Sequence, residues 1–152
     1  MKRSVNRVLA VSSGGGHWVE LLRLRPAFEQ QETIYVTVNE TYQRDVAPSR
    51  FIVVRDATSW TPWAMLVLGL QMFSAVIRIR PSVVITTGAA PGLFGLVAGK
   101  LIGARTVWLD SIANVDELSR SGRLARRFAD VWLTQWQHLA GAGGPEYAGK
   151  VL

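Results

Sequence analysis

Val8-Leu9-Ala10-Val11-Ser12-Ser13-Gly14-Gly15-Gly16-His17 joins an apolar run to a glycine-rich turn, and Trp18, Leu21, Leu22, Leu24 and Phe28 then recur at helical spacing. The run reads as a short buried strand, and a helix is expected to start near His17. A strand, a tight turn and a helix N-terminus also make a pocket for an anion. Glycines let the backbone come close, while unpaired N–H groups and the helix dipole favour negative charge. A phosphate or diphosphate is the natural guest of Ser13, Gly14, Gly15, Gly16 and His17. The pattern is neither G-x-G-x-x-G nor a P-loop ending in Gly-Lys-Ser/Thr. Three glycines also serve as the plain first turn of a doubly wound fold. His17 reads equally as a structural cap, a donor to phosphate or a base.

Around this stretch the composition sets bounds. A chain of 152 residues fits one domain with a real core. Hydrophobic residues make up 49% and charged ones only 18%, with six tryptophans, which suits a surface partly covered by a membrane or a partner. The net charge of +6 favours anionic partners such as lipid headgroups or phosphorylated substrates. The absence of cysteine excludes disulfides and a cysteine-ligated metal, and two histidines leave little for any other metal site. Met1-Lys2-Arg3-Ser4-Val5-Asn6 leads into strand residues rather than a signal-peptide core, so secretion is not expected.

Strand signals repeat along the chain at Thr33–Thr37, Phe51–Val54, Ser82–Thr86, Thr106–Leu109 and Val131–Thr134. Continuous apolar runs separated by helical segments indicate a parallel sheet covered on both faces. With no repeat, low-complexity tract or linker, the reading is a single Rossmann-like α/β domain with a doubly wound parallel sheet.

Ala57 to Ile77 carries no charge, and a largely apolar helix is expected within about 60–79. Trp60 and Trp63 mark one end and Arg78 and Arg80 the other, with Leu66, Leu70 and Phe73 between them. The ends resemble interfacial anchors. Polar residues dilute the segment below a typical span, and strands flank it on both sides. A helix lying in the membrane interface is favoured over a buried crossover helix or a true span.

Thr86-Thr87-Gly88-Ala89-Ala90-Pro91-Gly92 forms a second small-residue turn, leading into a helix from Leu93 to Ile102. Strand carboxyl ends share one edge, so this turn is expected beside the first, where Gly88 and Gly92 either support a diphosphate or simply permit close packing. Asp110 falls near the same edge, as an acceptor of a sugar hydroxyl proton or as a structural cap. Arg120, Arg123, Arg126 and Arg127 form a basic cluster, either a solvated face or a contact for phosphate and anionic lipid. No recognition-helix or RNA-binding pattern accompanies it, so nucleic acid is not an expected partner. The tail from Gly141 to Gly149 is too glycine-rich for a helix and is read as an extended segment.

Three segments then carry a resemblance: Ser12 to Leu24, Thr87 to Gly92 with Ala98 to Gly103, and Asp110 to Ser119 running on to Gln135-Trp136. In this order, over about Val8 to Leu152, they resemble the acceptor-side subunit of two-component GT-B glycosyltransferases. That group comprises the Alg-fourteen family of N-glycan assembly and the bacterial exopolysaccharide and capsule proteins of PssD type. The N-terminal half of the peptidoglycan transferase MurG is similar at greater distance.

The resemblance implies the N-terminal half of a GT-B enzyme on the cytoplasmic face of the membrane. Such a half handles a polyprenyl-diphosphate-linked saccharide, while a separate Alg-thirteen or PssE-type subunit binds the UDP-sugar. No cofactor is implied. Gly14, Gly15, Gly16 and His17 would face the diphosphate, with Gly88 and Gly92 supporting them. His17 would be the base or a diphosphate contact, with Asp110 second. Asp110 stands where this family more often has glutamate. The eukaryotic members carry an N-terminal spanning helix, and none is read here, so attachment would rest on Ala57 to Ile77 and the arginines. Two rival readings are a non-catalytic recruitment subunit and a free-standing nucleotide-binding Rossmann enzyme. The second lacks G-x-G-x-x-G and an acidic residue closing the second strand.

Overall fold

The computed structural model describes residues 6–151; the leader reading of Met1 to Val5, and Leu152 at the end of the resemblance, lie outside the described residues. Seven parallel strands form one sheet in the order β3-β2-β1-β4-β5-β6-β7. They are β1 (Arg7–Val11), β2 (Glu32–Thr37), β3 (Arg50–Val53), β4 (Val83–Thr86), β5 (Arg105–Leu109), β6 (Val131–Thr134) and β7 (Glu146–Tyr147). The expected doubly wound α/β domain is what the chain forms. β7 lies in the glycine-rich tail, where Glu146 pairs with Leu133 and Tyr147 with Thr134.

The helices are α1 (Gly16–Leu24), α2 (Gln43–Val46), α3 (Pro62–Ile79), α4 (Ala89–Leu101) and α5 (Arg120–Ala125). α1 stops before Phe28 because Arg25-Pro26-Ala27 tightens into a 3-10 turn around the proline. Phe28 is still buried on the α1 side of the sheet. α4 starts at Ala89 rather than Leu93, since Pro91 in its first turn is compatible with helix.

Alternation along β1 distributes the core. Val8 and Ala10 meet Trp18, Leu21 and Phe28 on one face. Leu9 and Val11 meet Leu68, Met72 and Val76 of α3 and Ala98 of α4 on the other. Trp108 of β5, Leu96 of α4 and Ala125 of α5 extend that second layer. β1 and β4 are neighbours, with Val11 opposite Thr86. The strand order reverses between them, which is where the two glycine turns emerge together.

Candidate functional site

Gly15 enters α1 with φ 66°, in the left-handed region that glycine adopts without penalty, and no side chain caps the helix. Its N–H donates to the Tyr42 hydroxyl at 3.0 Å. The Tyr42 ring is stacked on Trp18, with centroids 5.0 Å apart. Gly15 and Gly16 are exposed, while Ser13 and Gly14 are partly covered. α4 also begins without a side-chain cap, with Gly88 at φ 134° ahead of it and Ala89 at φ 62° as its first residue. A left-handed alanine at a turn is a strained position of the kind that clusters at binding sites. Two uncapped helix N-termini therefore lie at one edge of the sheet, each presenting positive dipole.

His17 is the clasp between the two turns. The Thr87 hydroxyl donates to the His17 carbonyl at 2.6 Å. In return, His17 Nδ1 lies 2.9 Å from the Thr87 carbonyl oxygen. A carbonyl only accepts, so Nδ1 carries the proton of the neutral ring and Nε2 presents a lone pair. The side chain is 29% exposed. A ring with this tautomer accepts a proton at Nε2 or, once charged, donates there to an anion.

Gly88 and Gly92 are closely packed. Both are buried. A β-carbon at Gly88 would stand 2.8 Å from His17 Cε1, and one at Gly92 would stand 2.0 Å from Thr86 Oγ1. The Gly88 N–H is already bound to Thr86 Oγ1 at 3.1 Å. Gly88 shapes the floor under the imidazole and Gly92 lets α4 approach Thr86, the close-packing role that the sequence offered beside support of a diphosphate.

Asp110 is 2% exposed. Trp108 Nε1 and the Ser119 hydroxyl donate to Oδ1 at 3.2 and 2.6 Å, and the Ser119 N–H and Asn114 Nδ2 donate to Oδ2 at 2.9 and 3.2 Å. Ser119 in turn caps α5 through the Gly122 N–H at 2.8 Å. The geometry gives Asp110 a structural task, folding the 110–119 loop, because both oxygens are engaged and the residue is buried.

Sequence reasoning passed over Glu20 and the side chain of Gln135. Glu20 is 3% exposed, and its Oε1 accepts from the Ile112 N–H at 2.7 Å and Gln135 Nε2 at 2.8 Å. Its Oε2 lies 3.9 Å from His17 Nδ1. The i,i+3 spacing of His17 and Glu20 on one helix was the available signal. Gln135 also donates to the Asp110 carbonyl at 3.1 Å and accepts from the Val151 N–H at 2.9 Å, so the tail closes over this network.

Beside Gly14 and Ala89 opens a cleft of about 760 Å³ that extends past Asn39 and Glu40 to Val53 and Asp56. The chain from β3 into α3 forms its far wall. α3 buries Ala64, Leu68, Met72 and Val76 against the sheet. Its outer side leaves Trp63 72% and Leu70 64% exposed, with Leu66 also exposed and Trp60 just ahead of the helix 90% exposed. Phe73 is half-buried in a shallow apolar groove with Phe94 and Met65. Arg78 and Arg80 are exposed at the far end. By length and composition α3 is long and apolar enough to cross a membrane, yet a third of it is buried on the sheet. Arg120, Arg123, Arg126 and Arg127 are all exposed, Arg123 being paired with Glu117 at 2.9 Å. No group of three or more His, Cys, Asp and Glu able to hold a metal occurs among the described residues.

Comparison with known proteins follows the same outline. A family model described as "Oligosaccharide biosynthesis protein Alg14 like" matches residues 45–151, which takes in the second turn, the 110–119 loop and Gln135 but leaves the first glycine turn outside. The UDP-N-acetylglucosamine transferase subunit ALG14 of Eremothecium gossypii is 40% identical over 82 residues, covering 46% of this chain and 37% of that protein. That of Yarrowia lipolytica is 26% identical over 171 residues, covering 91% of this chain and 77% of its own. Among solved structures, Acinetobacter baumannii MurG superposes with a TM-score of 0.76 at 13% identity, over 93% of this chain and 45% of MurG. UDP-N-acetylglucosamine 2-epimerase from Rickettsia bellii gives 0.66 at 12% identity, over 88% and 40%. At such identities the likeness concerns the fold, that of the N-terminal half of MurG, and the chain spans less than half of these structures. The family match over most of the chain is decisive: the chain belongs to the Alg14-like family of oligosaccharide biosynthesis proteins.

Proposed function

We propose that this chain is the acceptor-side half of a two-component glycosyltransferase, moving a sugar from a UDP-sugar to a polyprenyl-diphosphate-linked saccharide. The observation that carries the reading is the clasp at the switch point: His17, fixed through Nδ1 with Nε2 free, stands between two uncapped helix N-termini. The ALG14 relatives are named as UDP-N-acetylglucosamine transferase subunits, which supports both the reaction class and a partner that binds the UDP-sugar. In this reading the diphosphate rests on the N–H groups at Ser13, Gly14, Gly16 and His17, that of Gly15 being held by the Tyr42 hydroxyl. Asn39, Glu40 and Asp56 along the cleft suit saccharide hydroxyls. His17 Nε2 removes the proton from the attacking hydroxyl, and sugar transfer inverts at the anomeric carbon. Asp110 contributes by holding its loop.

The exposed face of α3 lies along a membrane surface on the cytoplasmic side. Parallel-sheet crossovers run helices opposite to the strands, so Trp60 and Trp63 stand at the same edge as the glycine turns. A lipid carrier entering beside them delivers its diphosphate next to His17. The deciding experiment reconstitutes the chain with an Alg-thirteen-type subunit and follows UDP-N-acetylglucosamine transfer to polyprenyl-diphosphate-linked N-acetylglucosamine. His17→Ala is expected to lose about 100-fold or more in kcat. Wild-type turnover by that variant, or full activity of this chain alone, would refute the reading.

A further inference from the structure

Glu20 holds a combination that its role in packing does not explain. Oε1 is satisfied twice, yet Oε2 is one of two buried side-chain polar atoms without a hydrogen-bond partner among the described residues. Leaving a buried carboxylate oxygen unpaired is costly, and such atoms are rare. Facing it at 3.9 Å is the ring nitrogen His17 Nδ1, already hydrogen-bonded to the Thr87 carbonyl.

We infer that Glu20 is a positioning residue for His17, holding the imidazole in register and stabilising the imidazolium formed during transfer. The inference rests on the reading of His17 as the base. In that step the acceptor oxygen bonds to the anomeric carbon, and the bond to UDP breaks with its electron pair leaving on UDP. The hydroxyl proton passes to His17 Nε2. The ring then carries a positive charge, with its Nδ1–H between a neutral carbonyl and the free carboxylate oxygen. A small tilt of the ring turns the 3.9 Å approach into a charge-assisted hydrogen bond. Ile112 and Gln135 keep the carboxylate from swinging away, and Asp110 cannot substitute because its oxygens are fully engaged. The orphaned oxygen is thus reserved for a charge that exists only during the reaction.

A double-mutant cycle in the reconstituted pair tests this. The donor is UDP-N-acetylglucosamine and the acceptor polyprenyl-diphosphate-linked N-acetylglucosamine. Glu20→Gln keeps an oxygen for Ile112 and Gln135 and replaces only the one beside His17. It is expected to lower kcat by about 10- to 100-fold with the acceptor KM within about twofold. In a His17→Ala background it is expected to have no further effect, because its action runs through the ring. An equal loss in both backgrounds, or unchanged kcat, overturns the inference. Wild-type turnover by His17→Ala alone removes the base reading beneath it, a result distinguishable from failure of Glu20→Gln. Circular dichroism melts establish that the variants fold. Glu20→Asp, which keeps the charge but draws it back, is expected to fall between wild type and Glu20→Gln. Should neither fold, the nitrogen spectrum of the wild-type His17 ring decides. A proton on Nδ1 and none on Nε2 is expected, and the opposite tautomer overturns the inference.

Discussion

Gly88 and His17 are packed so closely that a β-carbon built on the glycine would stand 2.8 Å from Cε1 and 2.9 Å from Nδ1 of the ring. The glycine is also at φ 134°, where a side chain is strained whatever the space. Gly88→Ala therefore pushes the imidazole off the Thr87 carbonyl as well as straining the turn. The expected outcome is a loss of about 1–3 kcal/mol in stability and a fall in transfer beyond what the unfolded fraction accounts for. Denaturant titration alongside kcat measures both. Unchanged kcat in folded Gly88→Ala would show that the ring need not sit where Gly88 allows it.

Asp110→Asn separates a structural carboxylate from a chemical one. The amide keeps one acceptor oxygen but turns an NH2 toward donors that now bind carboxylate oxygens, Trp108 Nε1 and Ser119 on one side or Ser119 N–H and Asn114 on the other. A buried polar mismatch of that kind costs about 1–3 kcal/mol. Thermal unfolding is expected to shift down, while kcat per folded molecule stays within a few-fold of wild type. A stable variant with kcat reduced by orders of magnitude would instead restore Asp110 to the chemistry.

The frame of this protein was legible because buried parallel strands are written as unbroken apolar runs. Six runs and two glycine turns fix a doubly wound sheet, and the rule that ligand edges collect strand carboxyl ends places the turns together. The interior of the site was less legible. Glu20 meets Ile112 and Gln135 across 92 and 115 residues of sequence, and no local pattern announces a pairing at that range. Gly88 and Gly92 read from sequence either as support for a diphosphate or as close-packing positions, and only the structure shows that they pack on His17 and Thr86. The tail was legible as an extended segment, but its pairing was not: Glu146-Tyr147 is too short for periodicity to register and is recruited by the edge of β6.

Acid sensitivity has a marked source at Asp130. Asp130 is lowered from the usual 3.8 to about 2, first by its hydrogen bond to the Lys100 ammonium and then by the Thr106 N–H. A depressed carboxylate value adds stability that is present above the unfolded value near 4 and is lost as pH falls through about 2. The pair is partly exposed, so the gain is modest and screened by salt. Comparing wild type with Lys100→Met is expected to show a stability gap at pH 7 that narrows between pH 4 and pH 2. A gap that persists at pH 2 would mean Lys100 acts through packing of its aliphatic stem.

The outer face of α3 offers the sharpest test of membrane attachment, because the residues involved carry little of the core. Trp63 and Leu70 project to solvent, while Leu68 and Met72 of the same helix hold the sheet. Charging the outer face leaves the fold alone: Leu70→Glu is expected to keep stability within about 0.5 kcal/mol. Transfer of one large apolar side chain into an interface is worth about 1.5–3 kcal/mol, so Leu70→Glu or Trp63→Glu is expected to weaken binding to vesicles of mixed neutral and anionic lipid about tenfold or more. Co-sedimentation gives the partition directly. If the exposed Arg78 and Arg80 meet anionic headgroups as proposed, raising salt is expected to weaken wild-type binding further. Undiminished binding by both glutamate variants would move the contact off α3 and onto the exposed arginines around α5.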